Sequence, residues 1–279
     1  MQDLLRSISD SYNDFSSGQK KVGNLFFKEP IFLAFSSALE VGKRVNVSES
    51  TVIRWTQKLG YRGYAEFQQV IQRKLAEERF EKTEESLHSA ADQSFLENLL
   101  DADIASIVKL KSSMDEEKLL QAVDEIGQAK SIYVTSNFFD YGLAHFFTSW
   151  LNLTLDHAEL LMQGDVQYYR QLSELSHEDT VVAFFFPRYT KSVVDTLKTA
   201  KNQGATIILI TDSFDSPAAE HADISLEVSV NSNLNIDSYT AVHALLASIM
   251  RFVYVKEHAK VKKNLTKVEA VYSEKNIFY

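Results

Sequence analysis

The sequence predicts an α + α/β protein: an N-terminal all-helical domain built around a helix-turn-helix, followed by a C-terminal α/β sandwich on a parallel sheet. Three observations carry this. A pair of capped short helices lies between Ser37 and Gly60, the hydrophobic period changes from helical to strand-like at Ser131, and charge is divided unevenly along the chain. Residues 1–80 hold 12 Lys and Arg against 9 Asp and Glu, whereas the remainder holds 17 against 29. A chain of 279 residues with 45% apolar content is long for one domain and comfortable for two.

Taken in order, Ser11 to Pro30 reads as one helix, with Val22, Leu25 and Phe26 at core spacing and Pro30 as its stop. Ile31 to Phe35 reads as an apolar connector. Ser37-Ala38-Leu39-Glu40 is a capping box, and the helix it opens runs through Val41, Lys43 and Arg44 to a turn at Val45-Asn46-Val47. Ser48 then caps a second helix, Glu49 suits its positive end, and Gly60 supplies the left-handed residue that stops it.

On a wheel of about 100° per residue, Val52, Trp55 and Leu59 share one stripe of this second helix. Ser50, Thr51, Arg54 and Lys58 share the opposite one. Small hydroxyls near the N-terminus with cations further along suit contact with base edges and phosphates in a major groove. A solvated face of an ordinary amphipathic helix carries the same charges, and the helix alone does not separate the two. The surroundings favour the groove: from Lys43 to Lys74, seven cations face only Glu49 and Glu66.

Gly60 to Tyr64 forms a tight loop, and a further helix carries Phe67, Val70, Ile71 and Leu75 on one stripe. The domain boundaries follow as residues 1–77 for the helix-turn-helix domain, 78–95 for a charged and then small polar linker, and 96–279 for the second domain. There the helical pattern resumes at Phe95 and again from Glu116 to Ile126. Buried runs then alternate with helices at Ser131–Thr135, Glu159–Met162, Thr180–Phe186, Thr206–Thr211 and Ile224–Val230, as in a parallel sheet. Ile236 to about Lys267 closes the chain as helix.

In such a sheet the ligand sits beyond the carboxyl ends of the strands. The loops there are Ser136-Asn137-Phe138-Phe139-Asp140, Pro187-Arg188-Tyr189-Thr190-Lys191 and Asp212-Ser213-Phe214-Asp215-Ser216-Pro217. Arg188 is suited to clamp an anion, with Tyr189 and Phe186 as an aromatic wall. The alternative is a surface arginine with Tyr189 as its packing partner. Asp140 repels a phosphate at close range unless it is turned away or paired with Arg188.

The run from Phe15 to Phe67 closely resembles the N-terminal domain of the RpiR-type bacterial transcriptional regulators. It includes Glu29-Pro30, Val47-Ser48-Glu49-Ser50-Thr51-Val52-Ile53-Arg54 and Lys58-Leu59-Gly60-Tyr61-Arg62-Gly63-Tyr64. From about Met114 to Lys256 the chain resembles the sugar-isomerase (SIS) domain, most clearly at Gly204-Ala205 through Ile208-Leu209-Ile210-Thr211-Asp212-Ser213. The resemblance implies a regulator that binds a double-stranded DNA operator as a homodimer or higher homo-oligomer. It also implies an effector in the SIS-like domain: a sugar phosphate, a sugar acid or a related anion. The implied DNA-binding residues are Lys43, Arg44, Ser48, Ser50, Thr51, Arg54, Lys58 and Arg62, and the implied effector-binding residues are Ser136, Asn137, Arg188, Tyr189 and Thr190. The family's phosphate loops are degenerate here. Gly-x-Gly-x-Ser becomes Ser136, Phe138 and Asp140, and of Ser-x-Ser-Gly-x-Thr only Thr190 remains.

Other chemistry is not indicated. The absence of cysteine excludes disulfides, thiol catalysis and cysteine-ligated metals, and fits a reducing compartment. The histidines show no metal-ligand spacing, Asp156-His157 with Glu159 makes only a weak acid/base sketch, and no nucleotide-binding glycine motif occurs, so no cofactor or metal is expected. Neither a signal peptide nor a long apolar run is present, and the expectation is a cytoplasmic protein off the membrane. The rival reading is a phosphosugar isomerase with an added helical domain. A third is a regulator whose SIS-like domain only dimerises.

Overall fold

The computed structural model describes residues 1–89, 94–233 and 236–278, with 79–89 and 233 described by backbone alone. It forms two compact units, Met1–Asn98 with Ser232–Asp237, and Leu99–Asn231 with Ser238–Tyr279.

The first unit is all-helical: α1 (Gln2–Ser11), α2 (Ser17–Lys28), α3 (Pro30–Phe35), α4 (Ala38–Arg44), α5 (Glu49–Lys58) and α6 (Tyr64–Ser89). The single helix expected from Ser11 to Pro30 is therefore divided. A 3-10 turn at Tyr12–Asp14 precedes extended Phe15, and Ser16 opens α2 with a capping box of its own through Gln19. The expected apolar connector is the short helix α3, started by Pro30 at its first position, where a missing N–H costs nothing. Its terminal carbonyls are satisfied from α6. Tyr64 donates to the Leu33 and Ser36 carbonyls, Gln68 to Ser36, and Gln72 to Ala34, three side chains at four-residue spacing on one helical face. Burial lifts the Tyr64 hydroxyl well above its ordinary pKa, so it remains a donor.

Trp55 lies at the centre of this core, fully buried, with ring centroids 5.0 Å from Phe67 and 6.3 Å from both Phe15 and Phe26. The segment expected as linker is helical as far as Ser89. Its Glu, Lys, Arg and Leu content favours helix and it contains neither glycine nor proline. Residues 90–93 of that segment lie outside the described residues.

The second unit carries α7 (Phe95–Ser113, which begins just before it), α8 (Glu116–Gln128), β1 (Ile132–Ser136), α9 (Tyr141–Thr154), β2 (Ala158–Leu160), α10 (Tyr168–Glu174), β3 (Thr180–Phe185), α11 (Lys191–Asn202), β4 (Thr206–Thr211) and β5 (Ile224–Glu227). The short strands β6 (Asn231–Asn233) and β7 (Ile236–Ser238) pair with each other, and α12 (Thr240–Lys256) and α13 (His258–Lys275) follow. The main sheet has the order β2-β1-β3-β4-β5, every pair parallel. β1 and β3 are buried along their whole length, which is why both read as continuous apolar runs rather than alternating ones. Chain order reverses at β1, so the loops after β1 and β3 leave the carboxyl edge side by side. Helices α8, α9 and α12 cover the core through Val123, Ile126, Phe147, Leu246 and Ile249. Among the described residues no helix is long and apolar enough to cross a membrane.

Candidate DNA interface and candidate effector site

The turn between α4 and α5 is set by backbone geometry. Asn46 takes a left-handed φ of 54°, the Val47 amide donates to the Gly42 carbonyl at 2.8 Å, and a β-carbon at Gly42 would stand 2.7 Å from the Val47 carbonyl oxygen. Only glycine fits there without a backbone shift. Ser48 then caps α5 through the Thr51 amide, and its hydroxyl lies 2.9 Å from those of both Ser50 and Thr51.

The expected DNA-facing residues divide into three groups. Ser50 and Arg54 stand exposed and already coupled, since Arg54 Nε donates to the Ser50 carbonyl at 3.1 Å and Nη2 to its hydroxyl at 3.0 Å. Lys43 and Arg62 are exposed at the two flanks. The rest are engaged elsewhere. Arg44 pairs with Glu29 at 3.0 Å and lies over the Phe32 ring, Lys58 donates to the Asp14 carbonyl, and the Thr51 methyl faces α2, 3.1 Å from where a Gly18 β-carbon would stand. Gln57, exposed on the Ser50–Arg54 side of α5, was missed by the sequence reading. Its place three residues after Arg54 was the available signal, and an uncharged amide did not draw attention to it.

At the carboxyl edge of the sheet, Arg188 also has a left-handed φ, 76°, and its guanidinium lies 4.7 Å from the centroid of the Phe139 ring, joining the loops after β1 and β3. Tyr189 does not form the expected wall. It is 6% exposed, lies against Phe185 at 4.8 Å and donates its hydroxyl to Asp212 at 2.6 Å, and Phe186 is fully buried. The exposed aromatic surface comes instead from Phe138 and Phe139, 73% and 50% accessible.

Ser136 and Asn137 are buried, and both serve the loop. Ser136 Oγ donates to the Asn137 carbonyl at 2.9 Å, and Asn137 Oδ1 accepts from the amides of Phe139 and Asp140 at 2.7 and 3.1 Å. Asn137 Nδ2, however, reaches no acceptor. Thr190 sits at the N-cap position of α11 without capping it, and accepts from Ser192. Asp140 is turned from the loop mouth, accepting the hydroxyl of Tyr239. Burial pushes the Asp212 carboxyl above the usual carboxylate range, although the Tyr189 hydrogen bond pulls the other way, and burial with the neighbouring Asp212 charge pushes the Tyr189 hydroxyl up. The Asp156-His157-Glu159 sketch is not assembled, because His157 Nδ1 meets the Leu155 carbonyl and Glu159 accepts from Gln171.

Comparisons with known proteins match both halves. Residues 2–78 fit the helix-turn-helix domain of the rpiR family, and residues 125–254 fit the SIS domain. An uncharacterized HTH-type transcriptional regulator of Thermotoga maritima is 22% identical over 278 residues, covering 98% of this chain and 99% of that one. The HTH-type transcriptional regulator HexR of Escherichia coli is 22% identical, covering 97% and 94%. Among solved structures, the Vibrio vulnificus NanR protein complexed with ManNAc-6P superposes with a TM-score of 0.69 at 16% identity, covering 97% of this chain and 98% of that one. With an rpiR-type helix-turn-helix ahead of a five-stranded SIS domain, the chain belongs to the rpiR family of transcriptional regulators.

Proposed function

We propose that this regulator reads a twofold DNA operator with α5 in the major groove, and that its SIS domain senses a small sugar-derived anion at the loops after β1 and β3. The observation that supports this most is the exposed row Ser50, Arg54 and Gln57 on α5, flanked by Lys43 and Arg62. Arg and Gln side chains make two-pronged contacts to guanine and adenine edges, and flanking cations meet phosphates. Two copies would set two such helices one helical turn of DNA apart. Residues 1–77 then act as the DNA-binding domain and residues 96–279 as the effector-binding and dimerising domain.

The sensing half is supported by exposed Arg188 against Phe139, with Phe138 exposed beside it, by Thr190 on the same loop as Arg188, and by the buried, unsatisfied Asn137 Nδ2 in the loop after β1, which reaches an anion only if that loop opens. That is two nitrogen donors and a hydroxyl for an anionic group and aromatic faces for a sugar ring. NanR, seen with ManNAc-6P, favours a sugar phosphate over a sugar acid as the first candidate. Sensing is preferred to isomerisation because the loop carboxylates Asp140 and Asp212 are each held by a tyrosine hydroxyl rather than poised as a base. Calorimetric titration of the full chain with sugar phosphates and sugar acids, followed by operator binding in the presence of each ligand found, tests the reading. A ligand that binds and shifts operator affinity supports it, and turnover of a phosphosugar would replace it with the isomerase.

A further inference from the structure

Helix α7 is amphipathic twice over. Its inner face is fixed within the second unit: Asp103 accepts from Asn231 Nδ2 at 2.7 Å and from the Thr240 hydroxyl at 2.9 Å, and Leu110 packs against the core. Its outer face carries a second apolar stripe that remains exposed among the described residues. Leu100, Ile104 and Val108 are each more than half exposed, and Ile107 lies beside them. At about 100° per residue these four fall within a sector of about 100°, and Lys111 and Glu97 both lie inside it. An exposed row of branched aliphatic residues of this length is costly to leave in water and marks an interface.

The order of residues along the stripe says what covers it. Outward from Ile104, the row reads Leu100 and then Glu97 in one direction, and Val108 and then Lys111 in the other, at spacings of four and three residues on both sides. Rotating a second copy of the helix by half a turn about Ile104 sets Ile104 on Ile104, Leu100 on Val108 and Glu97 on Lys111, twice over. Apolar meets apolar at Ile104, Leu100 and Val108 and acid meets base at Glu97 and Lys111, while Ile107, at the edge of the stripe, comes to lie on Asp101. A parallel pairing in register would instead set Glu97 on Glu97 and Lys111 on Lys111. We infer that α7 is a self-complementary dimerisation helix, which pairs antiparallel with α7 of a second copy about a twofold axis at Ile104. From Glu97 to Lys111 the seam is roughly 21 Å long at about 1.5 Å per residue, and an isologous contact of this kind closes at two copies. The inference deepens the two-copy reading of the proposed function by naming the surface.

The test uses the full chain, in which there is no cysteine. Sedimentation of the unmodified protein should give a dimer, and Ile104→Glu should raise its dissociation constant about 100-fold or more, since two carboxylates then meet at the axis. Glu97→Lys and Lys111→Glu should each weaken the dimer, and the double exchange should restore it, because opposite charges again face each other. Ile104→Cys should give a covalent dimer on oxidation, whereas Lys109→Cys, on the far side of the helix, should not. A dimer that is indifferent to all of these changes overturns the assignment to α7 while leaving the two-copy reading intact. An unmodified chain that sediments as a monomer overturns both.

Discussion

A β-carbon on Gly42 would stand 2.7 Å from the carbonyl oxygen of Val47, closer than real β-carbons approach backbone. The tight passage from α4 to α5 depends on that one missing carbon. Gly42→Ala should therefore destabilise the first unit by about 1–3 kcal/mol, the usual range for overpacking. Gly63, with nothing within 4 Å of its hypothetical β-carbon, is the control, and Gly63→Ala should change little. Urea unfolding of both variants measures the contrast, and equal costs would contradict it.

Asp212 supplies a pH dependence. Its folded pKa is raised by burial, so its contribution favours folding at low pH and is lost as pH rises through the folded value. Asp212→Asn keeps an acceptor for the Tyr189 hydroxyl and removes the buried charge. The melting temperature of the variant minus that of the unmodified protein should grow as pH is raised from about 4 to about 8. A difference that shrinks with pH would mean that the carboxylate is stabilised rather than penalised at this position.

At the effector loops, Arg188→Ala should weaken anion binding about ten-fold or more, the loss of one charge-assisted contact. Asn137→Asp is more specific. It retains the oxygen that accepts from the Phe139 and Asp140 amides, while replacing the unsatisfied Nδ2 with an anionic oxygen. Binding of a sugar phosphate should be lost, and because the new carboxylate oxygen is buried without a donor the melting temperature should fall as well, so binding is measured well below it. Calorimetry that finds undiminished affinity in both variants would move the effector away from this loop pair.

The fold was largely legible, and the reasons are physical. Buried parallel strands are continuous apolar runs, so β1, β3 and β4 announced themselves, and Ser37, Glu40 and Ser48 marked helix starts by their own chemistry. Ser16 and Gln19 were an equally good cap, hidden because the apolar pattern on either side ran straight through them. Side-chain direction was harder to read. Arg44 reads as a DNA contact from its charge and Lys58 from its place on the exposed stripe of α5, and neither signal says that Glu29 or the Asp14 carbonyl lies within reach from elsewhere in the chain. Tyr189 read as a surface aromatic until Asp212, 23 residues on, met its hydroxyl.

Operator titration by fluorescence anisotropy at several salt concentrations tests most directly whether α5 reads the major groove. Duplexes selected from a random pool supply the operator. Arg54→Ala and Gln57→Ala should each cost about 1–3 kcal/mol against the selected sequence and relax preference at one base pair, leaving the salt slope nearly unchanged. Lys43→Ala and Arg62→Ala should weaken all sequences alike and flatten the slope by about one unit each. Selected-sequence affinity that survives both Arg54→Ala and Gln57→Ala would remove α5 from the groove and contradict the account.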